Sequence, residues 1–184
     1  TGYGVSCNGA SDGSIDVTVT GGAGNYTYLW SNGATTEDLD GLSAGTYSVT
    51  ATDENNYSVS ISVEITETEA MDISAVSSDY TGYGVSCSGA SDGSIDVTVT
   101  GGTGNYTYLW SNGASDGVTT EDLENIPAGV YTIEATDENN CSVSMVVVIT
   151  EAAAMDISAV SSDYAGYGVS CNGASDGSID VTVT

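Results

Sequence analysis

Apolar side chains recur at every second position in short runs along residues 81–164: Ile95, Val97 and Val99, then Tyr106, Tyr108 and Trp110, then Tyr131, Ile133 and Ala135. Ser and Thr lie between them, and a period of two marks strands with one buried face. The clusters SGASDG, TGGTGN, SNGASDG and TDENN separate the runs and are rich in the Gly, Asn, Asp and Ser that turns require. Helical periodicity is nearly absent. The stretch AAAMD at 152–156 is too short for a stable helix and precedes β-type alternation, so it reads as a junction. The pattern predicts an all-β fold of antiparallel sandwiches.

The sandwiches are repeated. TGYGVSCNGASDGSIDVTVT at 1–20 returns as TGYGVSCSGASDGSIDVTVT at 81–100 and as AGYGVSCNGASDGSIDVTVT at 165–184. The starts lie 80 and then 84 residues apart, the difference being one loop in which SNGATTEDL becomes SNGASDGVTTEDL. A period near 80 is long enough for a domain with its own core, whereas solenoid repeats run to roughly 20 to 50 residues. MDISAVSSDY at 71–80 recurs at 155–164 after a hydrophobic strand ending in Ile-Thr-Glu, so MDISAV opens a domain. The expected domains form a linear array: 1–67, a sandwich lacking its first strand; 70–152, a complete sandwich; and 154–184, the opening strands of a further one. The chain starts and stops inside repeats, which reads as two cuts through a longer array, with exposed edges at the cuts and any export signal outside the window.

Charge narrows the function classes. The chain has 26 acidic residues and no Lys, Arg or His, a net charge of -26. No side-chain salt bridge can form, and repulsion favours an extended array balanced by counterions, cations or a basic partner. Nucleic acid and anionic lipid both demand Lys and Arg, so neither is an expected partner. No run of about 18 apolar residues exists to insert into a membrane. Without His or Lys, catalysis would have to rest on carboxylates, which recur identically in each copy and so suit a structural unit better than one cleft. The chain reads as no enzyme.

Among the aromatic residues, Trp30 and Trp110 lie on the strand NYTYLW, where an indole suits the core of a thin sandwich better than a sugar-stacking surface. Tyr47 and Tyr131, in AGTYSV and AGVYTI, read as corner tyrosines pinning a crossing between sheets. Leu39 with Leu42, and Leu123 with Ile126, form the apolar pair beside each.

The ordered motifs S-C-x-G-x-x-D-G, G-N-Y-x-Y-x-W-S-N-G, A-G-x-Y and T-D-x-N-x-C together resemble the SprB repeat of Bacteroidetes surface proteins, related to PKD and Ig-like sandwiches. The resemblance extends over essentially the whole chain. It implies extracellular cell-surface filaments exported by type IX secretion, some of them mobile adhesins of gliding motility. It also implies pairing of the early Cys with the Cys after T-D-x-N-x, here Cys87 with Cys141. The first copy has Tyr57 in the second place, which leaves Cys7 free or orphaned by the cut, and Cys171 awaiting a partner beyond residue 184. An oxidising exterior preserves such a bridge, and closing about 54 residues stabilises by on the order of 4 kcal/mol in the chain-entropy model.

That bridge would draw SGASDG and TDENN to one end of the sandwich, gathering Asp92, Asp137, Glu138 and Asn139, with Asp12, Asp53 and Glu54 as first-copy counterparts. These oxygens suit calcium, the one cofactor the sequence suggests, though none is required. Glu67, Glu69 and Asp72 are a second cation candidate at the junction, weakened because the second linker, Glu151 to Asp156, has one acid fewer. The competing reading is turn chemistry, since Asn, Asp and Gly tolerate positive φ. Asn-x-Ser/Thr matches at Asn25, Asn56, Asn105 and Asn140 fall inside turns and are discounted.

The function expected is a stalk or filament segment of a secreted cell-surface adhesin, projecting a distal tip and resisting trypsin-like proteases. Its partners would be neighbouring repeats of the same chain and, on self-association, other filaments in bundles. The alternatives are a carbohydrate-binding module repeated for avidity on surface polysaccharide, and a spacer in a secreted polysaccharide-active protein.

Overall fold

The computed structural model describes residues 4–111 and 118–184, and the SNGASDG loop lies outside that set apart from Ser111. Every regular element among the described residues is a β-strand, in small antiparallel sheets of the Ig-like sandwich kind.

The second repeat is the most complete. Strands β6 (Asp72–Ser77), β7 (Gly93–Thr100) and β9 (Leu123–Ile126) form one sheet, in the order β6-β7-β9. Strands β8 (Thr107–Ser111), β10 (Gly129–Thr136) and β11 (Ser142–Ile149) form the other, in the order β11-β10-β8. The period of two emerges as burial. Ile95, Val97 and Val99 of β7 and Tyr131, Ile133 and Ala135 of β10 all enter the core, which Val85, Trp110, Leu123, Ile126 and Ile149 complete. Trp110 is fully buried beside Ile133 in the β8–β10 register, and its Nε1 donates to the Thr120 carbonyl at 2.9 Å, so the ring has no unmet polar group. Tyr131 is also fully buried and donates its hydroxyl to the Pro127 carbonyl at 2.8 Å, tying the strand to the corner before it.

The first repeat follows the same plan with less material. Its elements are β1 (Gly13–Ile15), β2 (Thr27–Trp30), β3 (Leu39–Leu42), β4 (Gly45–Thr52) and β5 (Ser58–Ile65), paired as β1-β3 and β2-β4-β5. Val5, Ile15, Trp30, Leu39, Leu42, Val49 and Ile65 are its core. Tyr47 is half-buried and donates to the Ser43 carbonyl at 3.1 Å, the counterpart of the Tyr131 bond. Strand β1 stops at Ile15, whereas β7 runs on to Thr100. The cause is pairing: β6 lies along β7 from Ile95 to Thr100, and residues 16–20 have no such neighbour. Val17 and Val19 are accordingly half-buried where Val97 and Val99 are buried.

In the third repeat β12 (Ile157–Ser161) pairs with β13 (Ile179–Val183), and every residue of both strands is exposed. Residues 152–156 form no helix and serve as the connection into β12.

Candidate functional site

The turn TDENN joins β10 to β11, as its first-copy equivalent joins β4 to β5. Asp137 N donates to the Cys141 carbonyl at 2.9 Å and Asn140 N to the Asp137 carbonyl at 3.1 Å, with Asn140 at φ 64°. Asn is among the few side chains that tolerate this left-handed backbone, which explains its place here. The corner SCSG lies at the other end of the repeat. Gly84 N and Val85 N both donate to the carbonyl of Thr150, the residue that follows β11.

This arrangement overturns the expected pairing of Cys87 with Cys141. Cys141 precedes β11 and the Cys87 corner is held at its far end, and eight strand residues span roughly 26 Å. A disulfide needs Cα atoms within about 7 Å. Cys141 is instead bonded to Cys7 of the preceding repeat, with Cα atoms 5.8 Å apart, so Cys7 is not free. Cys87 and Cys171 carry exposed free thiols.

The bond crosses a joint made by residues 66–71 between β5 and β6. Gly4 N donates to the Thr66 carbonyl at 2.9 Å, and Gly9 N to Glu67 Oε2 at 2.7 Å. Asn8 Nδ2 donates to the carbonyl of the buried Thr68 at 2.8 Å. From the second repeat, Gly102 N donates to the Glu69 carbonyl at 2.9 Å and Asn139 Nδ2 to the Ser6 carbonyl at 3.1 Å. Met71 packs against the second core. The short linker is therefore clamped from both sides.

Gly101 sits where the linker crosses. A Cβ there would lie 2.0 Å from the Ala70 carbonyl oxygen, while its counterpart Gly21 has nothing within 4 Å. Both have positive φ, 77° and 86°, so alanine strains either backbone by roughly 1–2 kcal/mol. Gly101→Ala should destabilise its repeat by clearly more than Gly21→Ala destabilises the first, because only Gly101→Ala also displaces the linker. Denaturant unfolding of the two variants checks this, and equal losses would mean that the linker contact carries no weight.

The acidic candidates do not converge. Asp137 Oδ1 accepts from Asn139 N at 2.8 Å and Cys141 N at 2.9 Å, and its Oδ2 accepts from Thr103 N at 2.9 Å. Glu138 Oε1 accepts from the Asn105 side-chain amide at 2.9 Å, and Asp92 Oδ1 from Ser86 N at 3.1 Å at the opposite end of the repeat. In the first copy Asp12 accepts from Ser6 N, Asp53 from Ala23, Asn55 and Tyr57 N, and Glu54 from the Asn25 amide. Among the described residues no three acids or cysteines stand close enough together to hold a metal ion. The expected gathering of Asp92 with Asp137, Glu138 and Asn139 depended on the Cys87–Cys141 bond, and Asp92 lies instead at the far end of the repeat from the other three. These side chains fold turns, and Asn139 serves the joint.

Burial of Asp137 works to raise its pKa, but the backbone N–H groups of Cys141, Thr103 and Asn139 outweigh it, and the value lies below the ordinary 3.8. A depressed folded pKa contributes stability above the unfolded value, lost as pH falls through the folded one. The stability gap between the protein and Asp137→Asn should thus be constant from neutral pH to about 5 and shrink below about 4. Thermal midpoints of both across that range test it, and a gap that widens on acidification would contradict the assignment. Tyr108 shifts the other way, to about 12, through burial and its hydrogen bond to Glu121.

With the geometry in hand, the sequence pattern of the SprB repeat matches residues 5–35, 85–115 and 169–184, one segment in each repeat. No curated protein matches the chain. The matched segments begin at Val5, Val85 and Val169, and so include all three corner cysteines.

Proposed function

We propose that this chain, which carries three SprB repeat segments, is a load-bearing stalk segment of a cell-surface adhesin that holds a distal tip away from the cell. The observation that supports it most is the covalent joint. A module repeated for avidity gains from mobile linkers, whereas here six residues are clamped by hydrogen bonds from both sides and bridged by Cys7–Cys141. Burial of Trp30 and Trp110 removes the two indoles from any sugar-stacking surface, which counts against the carbohydrate-binding alternative. The absence of Lys and Arg from all 184 positions leaves trypsin-like proteases no site, as suits an exposed fibre. Extracellular residence agrees with the persistence of a disulfide. Export by type IX secretion and a role in gliding remain part of the proposal through the family resemblance alone.

Small-angle scattering of the chain, oxidised and then reduced, tests the stalk. A rigid joint gives one well-defined maximum dimension when oxidised and a broader distribution after reduction. Equally broad distributions in both states would show a flexible tether and remove the basis for a stalk.

A further inference from the structure

The bond between Cys7 and Cys141 joins one repeat's corner to the next repeat's turn, and the second corner is built in the same way. Ala10 N donates to the Cys7 carbonyl and Ala90 N to the Cys87 carbonyl, each at 3.1 Å. Ser6 N donates to Asp12 Oδ1 at 3.0 Å and Ser86 N to Asp92 Oδ1 at 3.1 Å. The corner's grip on the outgoing linker is also reproduced. Gly9 N to Glu67 Oε2 and Gly89 N to Glu151 Oε2 are both 2.7 Å, and the Gly4–Thr66 and Gly84–Thr150 bonds are both 2.9 Å. Two contacts differ: Ser88 stands where Asn8 does and lacks the amide that bonds the carbonyl of Thr68, and Gly84 N also donates to Thr150 Oγ1 at 3.3 Å. The third corner keeps the loop, with Ala174 N to the Cys171 carbonyl at 3.0 Å and Ser170 N to Asp176 Oδ1 at 3.1 Å. Cys87 thus presents an exposed thiol in the setting in which Cys7 is already bonded.

We propose that each S-C-x-G corner is the docking and bonding site for the T-D-x-N-x-C turn of the repeat that follows it, so that Cys87 takes the turn cysteine of a further copy and never Cys141. Within a repeat the length of β11 keeps the two cysteines apart, whereas across a joint the clamped linker brings them together. The asparagine before the turn cysteine supplies the second contact, as Asn139 does on Ser6. Bond formation is thiol–disulfide exchange with a small-molecule disulfide. The Cys87 thiolate attacks the donor and releases one thiol, then the turn thiolate attacks the Cys87 sulfur and releases the second. The donor accepts two electrons, and the two protons lost by the protein thiols end on the two thiols released. An array built this way is a chain of covalent joints. The inference deepens the stalk reading and rests on it for its purpose alone, since the bond map is read independently of stiffness.

Two experiments decide it, both with glutathione disulfide as oxidant and peptide mapping under non-reducing conditions. In the first, residues 101–154 are appended again after Thr184, which corresponds to Thr100 of the second repeat, with Ser142→Thr in the added segment to mark its peptide. The expected map has Cys7–Cys141 and Cys87 bonded to the added turn cysteine, with Cys171 alkylated or carrying glutathione. A bond between Cys171 and the added cysteine, or an alkylated Cys87, overturns the proposal. In the second, Cys7→Ser is introduced into the unextended chain. Cys141 and Cys87 should then each be recovered alkylated or as a mixed disulfide with glutathione, and a Cys87–Cys141 crosslink overturns the proposal even if the extended chain fails to fold.

Discussion

Cys7→Ser lowers the unfolding free energy of the oxidised chain by about 4–5 kcal/mol, and Cys87→Ser leaves it within about 0.5 kcal/mol of its starting value. The first figure follows from the 134-residue separation of the bonded pair, which in the chain-entropy model restricts the unfolded state by about 5 kcal/mol when both repeats unfold together. If the second repeat unfolds alone, the first still anchors Cys7 beside the linker, and the closed loop is shorter by roughly half, which lowers the term only slightly because it varies with the logarithm of length. Cys87 is exposed and unbonded, so its substitution removes little. Bonding within the repeat would reverse the ranking. Denaturant titration without reductant, followed by the fluorescence of Trp30 and Trp110, ranks the two variants directly.

Trp110→Ala should cost about 3–5 kcal/mol, the usual range for emptying a fully buried indole. The ring is inaccessible, lies in register with Ile133 and belongs to the core that Val97, Tyr131 and Ile149 share. Its loss also leaves the Thr120 carbonyl without its donor, adding an unmet polar group to the cavity. Trp110→Phe should recover much of the packing while still forfeiting that bond. Calorimetry of the three proteins under oxidising conditions measures both effects. A loss below about 1 kcal/mol for Trp110→Ala would mean that the indole is a surface residue and would return the sugar-binding reading to first place.

The strands of the second repeat were legible because burial on one face writes a period of two directly into the residues, as Ile95, Val97 and Val99 show. The turns were legible for a similar reason, since Asn140 occupies a backbone conformation few side chains accept. Burial of Trp30 and Trp110 followed from the size of an indole against the thinness of a small sandwich. All of these are local properties of short segments.

The cysteines depended on something else. One clue lay in the chain: pairing within repeats leaves Cys7 without a partner because Tyr57 stands in the second place, whereas pairing into the following repeat gives Cys7 its partner in Cys141. Choosing between them required knowing that corner and turn lie at opposite ends of β11, and that the linker at 66–71 folds against Gly102 and the first corner. The acids illustrate the same division. Their identity as turn formers is local, while the idea of a shared cation depended on which ends of which repeats meet. The pattern of side chains determined the strands, the turns and the core of each repeat, because each of those is an interaction between near neighbours or between the two faces of a strand. The joint was decided by tertiary structure alone, because it rests on the separation in space of residues 134 positions apart, set by strand length and the path of one short linker.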